Sequence, residues 1–123
     1  MYRGLLDKYI NDYYGVIAEY PWLSQPSYAV YRHRNNQKWF AVIMQLPKNK
    51  IGLESDELVN VVNLKCEPML IGSLILDDGI QKAYHMNKNH WITVRLDGSV
   101  GLEKIKWLLD LSYDLSDKRG KKK

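Results

Sequence analysis

The sequence predicts an α+β domain built as a two-layer sandwich, an antiparallel sheet with helices on one face, in the order α-β-β-β-α-β-β-α. Three observations predict it. Segments with apolar residues at helical spacing flank and separate segments that alternate with period two. Polar turns join the period-two segments in pairs, as hairpins require. A length of 123 residues suits one domain around one core, here residues 1–116, followed by a Lys-rich tail over 117–123.

From Tyr2 to Tyr20, Leu6, Ile10, Tyr13, Tyr14 and Ile17 recur at helical spacing, with Asp7, Lys8, Asn11 and Asp12 on other faces. This is an amphipathic helix, expected to end before Pro21, because the residue preceding a proline is pushed out of the α region. Ser27–Arg34 and Lys38–Gln45 are rich in aromatic and β-branched residues around the turn Asn35-Asn36-Gln37, and read as a hairpin. On its second strand Phe40, Val42 and Met44 fall on one face and Trp39, Ala41 and Ile43 on the other, so that strand is expected to be central and covered on both sides. Pro47 and Gly52 mark a loop, and Leu58–Lys65 is a third strand. Pro68 suits the first turn of a short helix over Met69–Leu76 that Asp78-Gly79 ends. A second hairpin is expected from Tyr84-His85-Met86 through the loop Asn87–His90 to Trp91–Leu96, whose return strand alternates cleanly. Asp97-Gly98 leads into a last helix, Leu102–Leu115, with Leu102, Ile105, Leu109 and Tyr113 along its buried stripe. The tail has too few apolar groups to pack and is expected to be disordered.

Composition excludes several classes. Hydrophobic residues at 46% and charged residues at 26% are globular proportions. No apolar run approaches the roughly 20 residues that span a bilayer, and the N-terminus lacks a signal-peptide core, so no membrane partner and a cytoplasmic location are expected. Cys66, the single cysteine, rules out an intramolecular disulfide or multi-cysteine metal site. From Met1 to Ser116 there are 13 Lys and Arg against 13 Asp and Glu, so the formal charge of +4 resides in the tail. Bulk charge on the body is therefore no argument for phosphate binding.

The stretch Tyr84-His85-Met86-Asn87-Lys88-Asn89-His90-Trp91-Ile92-Thr93-Val94 is distinctive for its asparagine-lysine-any-histidine-tryptophan core. With Leu96-Asp97-Gly98-Ser99, Leu111-Ser112-Tyr113-Asp114-Leu115, Lys38-Trp39-Phe40-Ala41 and Asn63-Leu64-Lys65-Cys66, it resembles the MmcQ/YjbR family of small bacterial proteins over nearly the whole body. The resemblance implies a fold like that of the secretion chaperones and of a phage transcription factor's double-wing DNA-binding domain. A DNA-binding role is implied on that likeness of fold, which does not by itself determine function.

Two basic hairpins on one sheet are what a double-wing reader needs. Arg32, Arg34 and Lys38 surround the first tip, and Lys88, His90 and Arg95 belong to the second hairpin; these six are the candidate nucleic-acid contacts. Hairpin tips are also where any soluble protein places charge. The Asn87–His90 loop has two readings. Lys88 and Trp91 match a phosphate and stacking site, whereas Asn87 as a turn cap, His90 bonded to backbone and Trp91 packed at the sheet edge make the loop structural.

No catalytic, metal or cofactor site is expected. His85 and His90 need a third ligand that only His33, on another hairpin, offers. Cys66 has the setting of a small buried hydrophobe, and Gly98-Ser99-Val100-Gly101 lacks the lysine and spacing of a phosphate loop. The sequence thus favours a non-enzymatic nucleic-acid-binding module with DNA as partner. Nine tyrosines and four tryptophans support a different class: a protein- or small-ligand-binding module using an aromatic sheet face for a peptide, another subunit or a small planar ligand. Neither reading fixes an oligomeric state.

Overall fold

The structure is a computed structural model that describes residues 2–117; the expected tail lies, beyond Asp117, outside the described residues. Its elements are α1 (Tyr2–Tyr14), β1 (Ala29–Arg32), β2 (Trp39–Pro47), a 3-10 turn (Lys48–Ile51), β3 (Leu58–Lys65), α2 (Pro68–Leu74), β4 (Ile80–Lys82), β5 (Trp91–Arg95) and α3 (Leu102–Ser116). The strands form one sheet in the order β1-β2-β3-β5-β4, antiparallel throughout. The α+β class and the element order are those expected.

One face of the sheet carries Ala29, Tyr31, Ala41, Ile43, Val62, Leu64, Ile92 and Val94, which pack with Leu6 and Ile10 of α1, Ile71 and Leu74 of α2, and Ile105, Leu108 and Leu109 of α3. All three helices therefore lie on this side. The other face presents Val30, Val42, Met44, Leu46, Val59 and Val61, and is covered by side chains of connecting segments: Trp22 and Tyr28, Ile51 of the 3-10 turn, and Tyr84 and Met86. Strand β2 is central and covered on both sides, as its sequence implies.

Local boundaries differ from the sequence reading at four places, each for a physical reason. α1 stops at Tyr14 because Gly15 turns into the left-handed region at φ +68, with its N–H bonded to the Asn11 carbonyl, a glycine C-terminal cap. The chain beyond it runs extended, Glu19 bridging Val30, so Ile17 is 79% exposed instead of extending the apolar stripe. β1 begins only at Ala29, after a turn in which the Tyr28 N–H bonds the Gln25 carbonyl.

A register shift between Tyr31 and Arg32 pairs Tyr31 with Ala41 but Arg32 with Trp39. Phe40 is the extra, bulged residue. The bulge exchanges the faces of two aromatic residues: Phe40 joins the helix-side core and Trp39 the opposite cluster, the reverse of simple alternation.

In the second hairpin the outgoing strand is Ile80–Lys82, directly after α2, and Tyr84–Met86 leaves the sheet. The Tyr84 N–H donates to the Thr93 hydroxyl and its carbonyl accepts from the Asn63 amide, so side chains replace the backbone ladder. His85, at φ +57, then folds the segment over the loop-covered face.

α3 is fastened to the sheet end by two serines. The Ser112 hydroxyl donates to the Phe40 carbonyl at 2.6 Å and accepts from the Lys65 N–H at 2.8 Å. The Ser116 hydroxyl donates to the carbonyl of Ser112, and lies 3.3 Å from that of Trp39. α1 is tied to α3 by Asp110, which accepts from the hydroxyls of Tyr9 and Tyr14. Burial and that carboxylate push the Tyr9 hydroxyl up to about 12.

Candidate ligand cleft on the loop-covered face

Register places both hairpin tips at the same end of the sheet, since Arg32 faces Trp39, Ala41 faces Leu64, Lys65 faces Trp91 and Lys82 faces Ile92. β3 runs between the hairpins, so their centres stand about three strand spacings, roughly 14 Å, apart. Of the six candidate contacts, Arg34, Lys38, Lys88 and His90 are exposed at this end. The Lys88 ammonium also donates to the Ala83 carbonyl at 2.9 Å, closing its own loop. Arg32 is half-buried, paired with Glu19 at 3.1 Å and lying over the Trp39 ring.

Arg95 departs from the expected arrangement. It is 7% exposed and sits at the far end of β5, its guanidinium on Asp78 and Asp97 and near the Ser99 hydroxyl. Although burial works against its charge, bonds from Ser99 and the nearby guanidinium outweigh that effect and hold the Asp97 carboxyl below its ordinary value. Arg95→Met should therefore lower stability by about 1–3 kcal/mol, short of a fully buried pair because Asp78 lies in solvent. With its folded value depressed, the Asp97 contribution is present above about pH 4 and lost as pH falls through the folded value. Thermal melts from neutral to acid pH should then show a smaller acid loss in Asp97→Asn than in the parent.

The Asn87–His90 loop is held by its own backbone. Asn87 accepts from the Asn89 N–H on its side chain and from the His90 N–H on its carbonyl, and the His90 carbonyl accepts from the Cys66 N–H at 2.8 Å. The His90 ring remains exposed.

Beside this loop, the face without helices opens into a cleft of about 220 Å³. Trp22, Tyr28, Trp39 and Tyr84 wall it, and Val42 and Met44 form an apolar floor together with Asn63. Trp22 stands edge-on to both Tyr28 and Trp39, with ring centroids 6.0 and 5.6 Å away. Burial and the Tyr84 hydroxyl raise the Tyr28 hydroxyl above its ordinary value, and both tyrosines line the cleft. The Thr93 hydroxyl donates to Asn63 at 2.6 Å, which completes an Asn63–Thr93 network that holds the backbone of Tyr84. A satisfied network of this kind rigidifies its surroundings, here the backbone that carries Tyr84.

Tyr84 and His85 also wall an adjoining cavity of about 460 Å³, whose lining adds Lys50, Lys82, Lys88, Ile51, Gln81 and Ala83. No carboxylate among the described residues lines it. Among the described residues Lys50 and Lys82 make no ion pair, and the Gln81 side-chain oxygen is buried without a hydrogen-bond partner. Sequence reasoning pointed to an aromatic face but missed Lys50, Lys82, His85 and Gln81, which converge only through the strand register and the fold-back of Tyr84–Met86.

Elsewhere, a depression of about 490 Å³ between α2 and α3 holds Lys65 together with Glu67, Asp114 and Asp117, so its lining is acidic on balance. Cys66 lines it too, and burial pushes its thiol up, away from the reactive thiolate. No cluster of three metal-ligating side chains occurs among the described residues, and no helix among them is long and apolar enough to cross a membrane.

Comparison with known proteins places this arrangement. The model of the YjbR family matches residues 11–115. The chain belongs to the YjbR family. It is 35% identical over 109 residues to the uncharacterized protein YyaQ of Bacillus subtilis, covering 89% of this chain and 92% of that protein. A crystal structure of a Pseudomonas syringae protein, 44% identical, superposes with a TM-score of 0.92 over 95% of this chain and all of the other. A Deinococcus radiodurans protein at 26% identity gives 0.69 over 94% of this chain and 78% of its own. Residues that carried the YjbR resemblance have identifiable structural tasks here: Asn63 holds Tyr84, Ser112 joins α3 to β2 and β3, and Asn87 shapes the second tip.

Proposed function

We propose that this YjbR chain is a non-enzymatic binding module that takes a planar aromatic group into the cleft between Trp22, Trp39, Tyr28 and Tyr84. The observation that carries the reading is the cleft itself: four aromatic side chains around an apolar floor, the backbone of one wall held by a hydrogen-bond network. Aromatic walls offer stacked or edge-to-face contact to a flat ring. Because Trp22 and Trp39 line the cleft, intrinsic fluorescence should change saturably on titration with indole or a purine nucleoside. No change up to the solubility limit of either probe would sink the reading.

A second reading, duplex DNA held by the two wings, is favoured by one observation: Arg34, Lys38, Lys88 and His90 are exposed at a single end of the sheet. Against it stand the sequestered Arg95 and the balanced charge of the body.

A further inference from the structure

We infer that the ligand of the aromatic cleft is a mononucleotide, its base in the cleft and its phosphate in the adjoining lysine-lined cavity; this rests on the reading of the cleft given above. Charge complementarity is the argument. Lys50, Lys82 and Lys88 line one concave surface that, among the described residues, no carboxylate lines. A phosphate dianion carries the charge opposite to these lysines and can accept several charge-assisted hydrogen bonds from them. Lys88 commits one proton to the Ala83 carbonyl and retains two for a ligand.

The two cavities adjoin at a shared wall. Tyr84 and His85 belong to the walls of both, and their rings lie 4.0 Å apart between centroids. A ligand crossing that partition must be flat and apolar at one end, anionic at the other and polar between them. A nucleotide has this build, with the sugar over Tyr84 and His85. An acidic peptide would satisfy the lysines but leave the aromatic cleft empty, and an uncharged aromatic would do the reverse.

The test is calorimetric titration of the full chain with nucleoside 5′-monophosphates, the matching nucleosides, inorganic phosphate and a short single-stranded oligonucleotide, each at low and high salt. The expected result is that one or more monophosphates bind at least about tenfold tighter than their nucleosides, the contribution of one or two charge-assisted contacts. High salt and the Lys50→Gln, Lys82→Gln double variant should remove that advantage and leave nucleoside binding unchanged. Equal affinity for nucleoside and monophosphate overturns the phosphate assignment while the aromatic reading stands. Inorganic phosphate binding as tightly as the monophosphate overturns the single-ligand geometry. An oligonucleotide that binds where monophosphates do not overturns the mononucleotide in favour of a strand, and silence from nucleosides and monophosphates alike, with indole also silent, removes the inference and the cleft reading together.

Discussion

Replacing Gly79 with alanine is expected to destabilise the fold by about 2–3 kcal/mol, the range of overpacking a closed site. A methyl group there would lie 2.4 Å from Val100 Cγ2 and 2.5 Å from the Ser99 hydroxyl, both well inside contact distance. Val100 is itself 2% exposed and cannot swing into solvent. Ser99 is held by Asp97 and Arg95, so displacing it disturbs the ion-pair cluster as well. The Gly79 carbonyl also accepts from the Arg95 N–H at 2.9 Å, so a shift of the glycine would break the start of the β4–β5 pairing. Urea unfolding should show a lower midpoint with an unchanged slope. Adding Val100→Ala should recover part of the loss, because the two side chains compete for one space and their effects are not additive. An unchanged midpoint for Gly79→Ala would show that the chain between α2 and β4 tolerates a methyl group that this packing excludes.

Much of the fold is legible in the sequence because most of it follows from short-range periodicity. The helical stripe of Ile105 and Leu109, the alternation of Ile92, Val94 and Leu96, and proline at the first turn of α2 are local signals, and the structure uses each of them. The departures arise where a local signal competes with a tertiary one. The spacing of Ile17 with Tyr13 and Tyr14 continues the helix on paper, but a glycine able to take φ +68 ends it sooner at no steric cost. Period-two alternation cannot register the extra residue at Phe40, because a bulge depends on the partner strand. Tyr84–Met86 has strand-like composition, yet Asn63 and Thr93 supply side-chain bonds that draw it off the sheet.

The same reasoning explains how much of the candidate site could be read. Charge at hairpin tips is visible in a sequence, so Arg34, Lys38, Lys88 and His90 were assignable and the structure gathers them at one end. Arg95 lies at the end of β5 away from the tips, a position that only the strand ladder reveals. The cleft draws on segments near residues 22–28, 39–44, 63 and 84–86. None of these is close in sequence to the next, and no periodicity links them. Their aromatic content is the only advance signal, and it names a class of surface without naming the residues.

Trp39→Ala is the substitution expected to separate the two functional readings most sharply. The ring is a wall of the cleft and contacts Trp22 edge-on at 5.6 Å, so its loss removes one stacking surface and lets the other turn away. Stacking on an aromatic side chain contributes about 1–3 kcal/mol, which converts to a loss of roughly fivefold to a hundredfold or more in affinity for a purine nucleoside. Trp39 also packs against Val42 and Met44, so the unfolding midpoint must be measured alongside, and Trp39→Phe serves as the variant that keeps a ring and should keep most of the binding. Arg34→Ala and Lys38→Ala, at the exposed wing tip, should leave nucleoside affinity unchanged. Under the double-wing reading the pattern reverses: duplex DNA affinity falls in Arg34→Ala and Lys38→Ala, each shallowing the slope of log affinity against log salt by about 0.9, and Trp39→Phe has no effect. A chain whose nucleoside binding survives Trp39→Ala, in a fold that still melts cooperatively, does not use this cleft.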